Sequence, residues 1–491
     1  MNQQLIPVTT EVGACSAGAV VANRLSEDGK TRVLLLEAGD YEVYQSEIPM
    51  LAARLQLSRW DWQYKTEPQK YACKGMKESR SNWPRGKILG GSSSLNYMLY
   101  VRGNYKDYDY WDRQLGGSGL WSWDQVFPYF VRSEDNRDPD IIGNGYHGTG
   151  GPLTISTPHY TTPVGGAFLE AGKLFGYQNI DFNAGTQTGF AIPQGTLRRG
   201  ARCSTSKAYL RDLSGRRTNL HLVIRAQVTK VILDHSNRAI GVKFHKGGIL
   251  HNVYANKEVI LSAGSLNSPQ LMMLSGIGPC DHLAEVGIPC RVHLPSLGQN
   301  LQDHIGTGGL QWLVDAPVTV VQPRVMVAKS FTQWAALGIG PLTMLGGLDG
   351  LGFINTKYQN KSEDFPDVEI HFIPSCPSSD GGESVRKNMG LRDDVFNAVY
   401  APFMYRDVFS YYPVLLRPKS RGWMKLRDNN PFSKPVLQPN YLSHPDDVRR
   451  LVEGCKISTR MAKSKPFDKF KPQDWPVKWF GCEKYKLYSN K

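Results

Sequence analysis

The chain has 491 residues, 41% hydrophobic and 21% charged, with Gly 49 and Pro 30, enough for two to four structural units around large cores, which excludes disorder as the main state. No apolar run of about 18 residues occurs, so no membrane span is predicted, and residues 1–12 carry no apolar stretch of the kind a secretory leader needs. The balance is basic at +14, yet from Ala462 to Lys491 eight lysines face only Asp468, Asp474 and Glu483, without a nucleic-acid motif, so nucleic acid is not expected as a partner.

In chain order, Leu5 to Val12 makes a poor first strand, since Pro7 interrupts it and Glu11 lies just before Gly13. Ala17 to Ser26 is rich in small and aliphatic residues and reads as a helix. Ser26 to Gly29 reads as a turn, and Thr31 to Glu37 as an apolar strand buried on both faces. Gly13-Ala-Cys15-Ser-Ala-Gly18, with Glu37 placed 24 residues after Gly13, has the layout of a dinucleotide turn followed by a ribose-binding acid. Cys15 stands where the second glycine belongs, so the motif alone fits a cofactor turn or a small-residue packing turn.

Trp83 to Met98 contains Gly90, Gly91, Ser92, Ser93, Ser94 and Asn96, framed by Ile88, Leu89, Leu95 and Met98. Little side-chain bulk and many free donors suit a ligand-facing loop, and the apolar frame argues against a surface linker. From Asn219 to Val253 short β-like runs predict an antiparallel meander turning at His235 to Arg238. Lys257 to Ala263 follows as a buried strand. Ser268 and Pro269 then read as N-cap and first residue of a helix that Gly276 ends. Further strands are predicted over Asp367 to Ile373, Phe409 to Arg417 and Gly422 to Arg427, and His444-Pro445 opens a helix to about Ala462. None of the eight cysteines forms a CxxC pair, which leaves disulfides and compartment open, and no metal site is predicted.

Gly13 to Gly39, Gly86 to Gly103 and Gly264 to Pro279 resemble the glucose-methanol-choline oxidoreductase family, the last two matching its two signature segments in order and separation. Trp60 to Pro68 and Leu297 to His304 are similar to its arthropod glucose dehydrogenase branch. The resemblance implies an α/β fold, with a Rossmann-like FAD-binding domain and a substrate domain on a mostly antiparallel sheet. The implied divisions are 1–150 and 205–310 for the FAD-binding domain, 151–204 as connection and substrate-side elements, 311–465 as substrate domain and 466–491 as a basic truncated tail.

FAD is the implied cofactor, its pyrophosphate over Gly13, Ser16 and Gly18 and its ribose on Glu37, with Ala17 and Ala38 completing these contacts. The flavin ring would rest against Gly90, Gly91, Ser92, Asn96 and Met98, with Val228 and Ala263 flanking the cofactor. The implied reaction passes hydride from an alcohol or sugar CH–OH group to flavin N5 while a histidine takes the hydroxyl proton. Neither the substrate nor the electron acceptor, quinone or oxygen, is specified.

The sequence also departs from the family. None of the eleven histidines precedes the Pro-x-Gly-Thr text that marks the family's base; no catalytic residue is assigned, and His444 is read as a helix-opening residue. The chain is expected to be truncated at both ends, its start replaced and its C-terminal histidine segment absent. Cys73 is expected to be unpaired, Ser81 standing where the branch often has a second cysteine. Extracellular placement is implied by the branch alone. Two further readings follow: a catalytically inactive product that binds FAD weakly, and a binding protein without chemistry.

Overall fold

A computed structural model of the chain describes residues 9–213, 216–479, 482 and 484. Four short strands, contributed from distant parts of the sequence, make the sheet that positions the site. They are β1 (Thr9–Val12) and β2 (Val33–Leu36), joined through helix α1 (Ser16–Leu25), and the later strands β3 (Leu220–Val223) and β7 (Val259–Leu261). All pair in parallel, in the order β3-β2-β1-β7.

A parallel sheet needs cover on both faces. On one face α1 lays Ala19 and Ala22 against Val33 and Leu35. On the other, Val12 and Leu36 pack against a three-stranded antiparallel layer of β4 (Gln227–Leu233), β5 (Ala239–Lys246) and β6 (Ile249–Tyr254), and against helix α2 (Gly264–Leu274).

Three sequence expectations are corrected here. Residues 5–8 lie outside the described residues, but Thr9–Val12 is a central strand rather than a poor one, paired on both sides. Its ladder uses backbone groups only, so polar side chains do not prevent it. They do leave the Thr9 and Thr10 hydroxyls and both Glu11 oxygens buried without hydrogen-bond partners.

The run from Asn219 is not one strand of a meander. It divides at Arg225, whose φ of +53° turns the chain while its N–H and that of Ala226 donate to Gly39 O and Glu37 O. The first half thus joins the parallel sheet and the second opens the antiparallel layer. Helix α2 begins at Gly264, before Ser268, with Pro269 inside it; Gly276, at φ +89°, follows its C-cap as expected.

The second unit is a six-stranded, wholly antiparallel sheet. Its order is Gln473–Asp474, β8 (Leu310–Leu313), β11 (Val408–Leu415), β10 (Val368–Ile373), β9 (Gly350–Ile354) and Gly189–Ala191. Val368, Ile370 and Phe372 alternate onto one face with Phe409, Tyr411 and Trp312, where the helix Pro163–Leu174 and α3 (Pro445–Ala462) cover them. His444 caps α3, its Nδ1 accepting from Asp446 N–H at 3.1 Å, the structural role expected of it. Cys280 and Cys290 form a disulfide, and Cys73 is free as expected.

Candidate functional site

At the C-terminal edge of the parallel sheet the chain turns sharply from β1 into α1. Gly13 has φ +95°, and a Cβ there would lie 2.8 Å from Ser262 O; a Cβ on Gly18 would lie 1.9 Å from Gly13 O. Only glycine lets the turn close on Ser262–Ala263 and the helix start so near it. Cys15 is the N-cap of α1 and gives no side-chain cap, which leaves first-turn amides and the positive end of the helix for an anionic ligand.

Glu37 follows β2. Its Oε2 accepts from Ala14 N–H at 2.9 Å and its Oε1 from Gly39 N–H at 2.8 Å. Burial pushes its carboxyl up to about 7, against the pull of the Gly39 and Ala14 amides and the Lys87 charge.

The segment after Trp83 crosses over this turn. Leu89 N–H donates to Asp40 O at 2.8 Å and Gly90 N–H to Ala14 O at 2.7 Å. A Cβ on Gly91 would lie 2.2 Å from Cys15 Sγ, so the thiol packs directly on Gly91. The serines are less free than their sequence implies: Ser93 donates to Gly90 O, and Ser94 to Leu89 O.

These elements bound an open cavity whose walls include Gly13, Cys15, Glu37, Ala38, Ser92, Val228 and Ala263. Six sequence-derived candidates therefore meet at one place. Ser16, Ala17 and Gly18 form the adjoining first turn of α1, and Gly90 packs on the turn through Ala14. Asn96 and Met98 do not line this cavity. Asn96 Oδ1 accepts from Arg202 Nη1 at 2.9 Å and from Met98 N–H at 3.0 Å, while Met98 is buried with Ala52, Leu197 and Leu345. Trp62, Arg85 and Asn267 also line the cavity. Trp62 lies in a segment noted only for its resemblance, and Arg85 and Asn267 fall inside flagged segments without a residue-level signal.

Arg85 also borders a second cavity, with Trp83, Asp303, His304, Tyr412 and Tyr441. There Trp83 Nε1–H donates to the Tyr441 hydroxyl at 2.9 Å, and that hydroxyl donates to Asp303. His304 and Tyr412 in turn border a third cavity, open to solvent, on the face of the six-stranded sheet that carries Glu369 and His371. Shared walls thus connect the glycine turn to the sheet face.

The first cavity fits FAD on three grounds. It offers a buried acid for ribose hydroxyls, uncapped helix amides for phosphate, and, for phosphate approach, a glycine turn closed too tightly on backbone to admit a Cβ at Gly13 or Gly18. Cys15 narrows that approach.

Comparison with known proteins agrees. A family model described as GMC oxidoreductase matches residues 12–306, and a second of the same description matches 418–487. The chain is 34% identical over 484 residues to "Glucose dehydrogenase [FAD, quinone]" of Drosophila melanogaster, covering 98% of this chain and 73% of that protein. It is 38% identical over 451 residues to "Choline dehydrogenase, mitochondrial" of Homo sapiens, covering 89% and 70%. Among solved structures, pyridoxine 4-oxidase from Mesorbium loti superposes with a TM-score of 0.79 at 26% identity, covering 96% of this chain and 82% of that one. The chain belongs to the GMC oxidoreductase family, and with it to the FAD-dependent oxidoreductases.

Proposed function

We propose that the chain holds FAD across the first cavity and oxidises the CH–OH group of an alcohol or sugar that enters from the sheet face. The observation that carries this reading is the continuity of walls from Glu37 and the Gly13–Gly18 turn, through Arg85, to His304 and Tyr412. The names of the glucose and choline dehydrogenase relatives support the CH–OH donor class.

Bound FAD supplies a hydride acceptor at its N5. Glu37 takes ribose hydroxyls on the lone pairs left by its two amide donors, and its charged form, favoured above about pH 7, is the better acceptor. The amides of Ser16, Ala17 and Gly18 hold the pyrophosphate. Gly90, Gly91 and Ser92 let backbone approach the ring, and Val228 and Ala263 line the same cavity as Ser92. Asn96 acts from behind by fixing the loop that carries those glycines, accepting from Arg202, which also donates to Ser93 O, and from Met98 N–H. No residue is proposed for the proton-accepting role. The Cys280–Cys290 disulfide supports an oxidising, extracellular setting.

The test is anaerobic addition of D-glucose, and separately of choline, to the FAD-loaded protein while the oxidised flavin band is followed. Bleaching by either alcohol is the expected result. Flavin that is retained but bleached by no alcohol leaves a binding protein without chemistry, and failure to hold FAD rejects the reading altogether.

A further inference from the structure

We propose that Glu11, buried beneath the phosphate turn, is a positioning residue of the cofactor site: the turn accepts FAD only while Glu11 is protonated, so that FAD binding takes up a proton. This goes beyond the function proposed above and rests on its assignment of FAD to the first cavity.

Alternation along β1 sends Val12 toward the antiparallel layer and Glu11 to the opposite face, beneath α1. Glu11 has no exposed surface, and neither of its oxygens makes a well-formed hydrogen bond. Oε1 lies 3.1 Å from where a Gly18 Cβ would stand, alongside the first turn of α1, whose amides Cys15 leaves uncapped. That positive helix end serves one anion well. An ionised Glu11 would put a second negative charge, unscreened by solvent, under the pyrophosphate that Ser16, Ala17 and Gly18 hold. A protonated Glu11 leaves the helix end to the phosphate.

The elements packed around Glu11 do not relieve that conflict. β2 lies between Arg32 and Glu37 and has no titratable group of its own, and β7 follows Glu258 and has none either. α1 carries only Arg24, near its far end and paired with Glu27 at 3.0 Å, and Cys15 precedes it. The helix Thr205–Tyr209, packed on α1, brings Lys207, which Glu47 takes at 3.0 Å. Burial raises the Glu11 carboxyl to about 8, with Ser262 opposing and Glu258 adding to the shift.

With FAD in place the Glu11 proton is held more tightly. Affinity is therefore level just below pH 8 and falls above it, by up to about tenfold per pH unit. Glu37 works the other way: it is raised to about 7 and binds ribose better when charged, so it weakens binding as pH drops below 7. FAD affinity peaks between the two values.

The test follows FAD binding by flavin fluorescence from pH 6 to 9, with circular dichroism on the same samples. Wild-type affinity should fall at least about fivefold from pH 7.5 to 9. Glu11→Gln, which cannot ionise, should lose this alkaline fall and keep the acid one, whereas Cys15→Ala should keep both. Calorimetry in two buffers of different ionisation enthalpy should show about half a proton taken up per FAD at pH 8.

Wild-type affinity that stays level to pH 9, an alkaline fall that survives Glu11→Gln, or one that vanishes in Cys15→Ala overturns the proposal. If Glu11→Gln does not fold, or the wild-type protein unfolds before pH 9, the proton count at pH 8 in wild type and Cys15→Ala decides, and no uptake in either overturns it. FAD binding that ignores alkaline pH leaves the oxidoreductase reading standing, whereas no FAD binding at any pH overturns that reading and this one with it.

Discussion

Glu11 and Glu134 are both carboxylates with no exposed surface, and the fold keeps them in opposite ways. Glu134 accepts from Arg102, from Asn136 Nδ2 at 2.9 Å and from Gly148 N–H at 3.1 Å, and meets His147 Nδ1 at 2.9 Å. His147 Nε2 in turn meets Asp181 at 2.7 Å. Burial alone would raise the Glu134 carboxyl, but the His147 bond and the Arg102 charge hold it below the usual carboxylate range. Burial would likewise depress His147, yet its two carboxylate partners push it up to about 9. Glu11 has no such company: no cation faces it and neither oxygen makes a well-formed hydrogen bond, and burial pushes its carboxyl up to about 8, with the nearby Ser262 side chain only partly opposing and Glu258 adding to the shift. The lesson is that partners, not depth, decide whether a buried acid is kept charged or neutral. The unpartnered acid lies under the phosphate turn, its Oε1 3.1 Å from where a Gly18 Cβ would be.

The contrast is broken most forcefully at its satisfied end. Glu134→Leu leaves Arg102 and His147 without their shared partner and should cost about 3–5 kcal/mol, read from urea unfolding; a loss below about 1 kcal/mol would mean the network contributes little. At the other end, Glu11→Val should stabilise the protein by about 3 kcal/mol at pH 7, since the wild-type acid is held above its unfolded range. Unchanged stability would show that the carboxyl reaches water.

pH sharpens the difference. Glu11 is raised from 4.5 to about 8, so the folded state binds the extra proton, and wild-type stability should fall between those values relative to Glu11→Val. His147 is raised from 6.5 to about 9, so its contribution is full below pH 6.5 and lost as pH rises through 9. His147→Gln should flatten only that upper window. The smallest effect is expected at Cys15→Gly, which removes the thiol packed on Gly91 and should slow flavin loss on dilution several-fold; equal loss from parent and variant contradicts the steric argument.

Much of this was legible in the sequence where one physical signal dominates. The alternation of Asp367–Ile373 and the His444-Pro445 start of a helix are local patterns, and the structure places a strand at Val368–Ile373 and a helix at Pro445–Ala462. The split at Arg225 was not legible, because a left-handed arginine carries none of the Gly, Asn or Pro marks of a turn. β1 was misjudged for the converse reason, since its backbone ladder forms despite side chains that do not suit its position. At the site, Gly13, Gly18 and Glu37 could be read from spacing. That Asn96 binds Arg202 instead of lining the cavity depends on a contact across a long sequence distance, which spacing does not encode.

The most direct measurement is titration of the purified chain with FAD, followed by flavin fluorescence, beside Glu37→Ala. Saturable binding to the wild-type chain, with affinity at least about tenfold lower in the variant, is the expected result. Wild-type protein that does not bind FAD, or a folded Glu37→Ala protein that binds it equally well, would contradict the assignment of the glycine turn and its buried acid as the cofactor cradle.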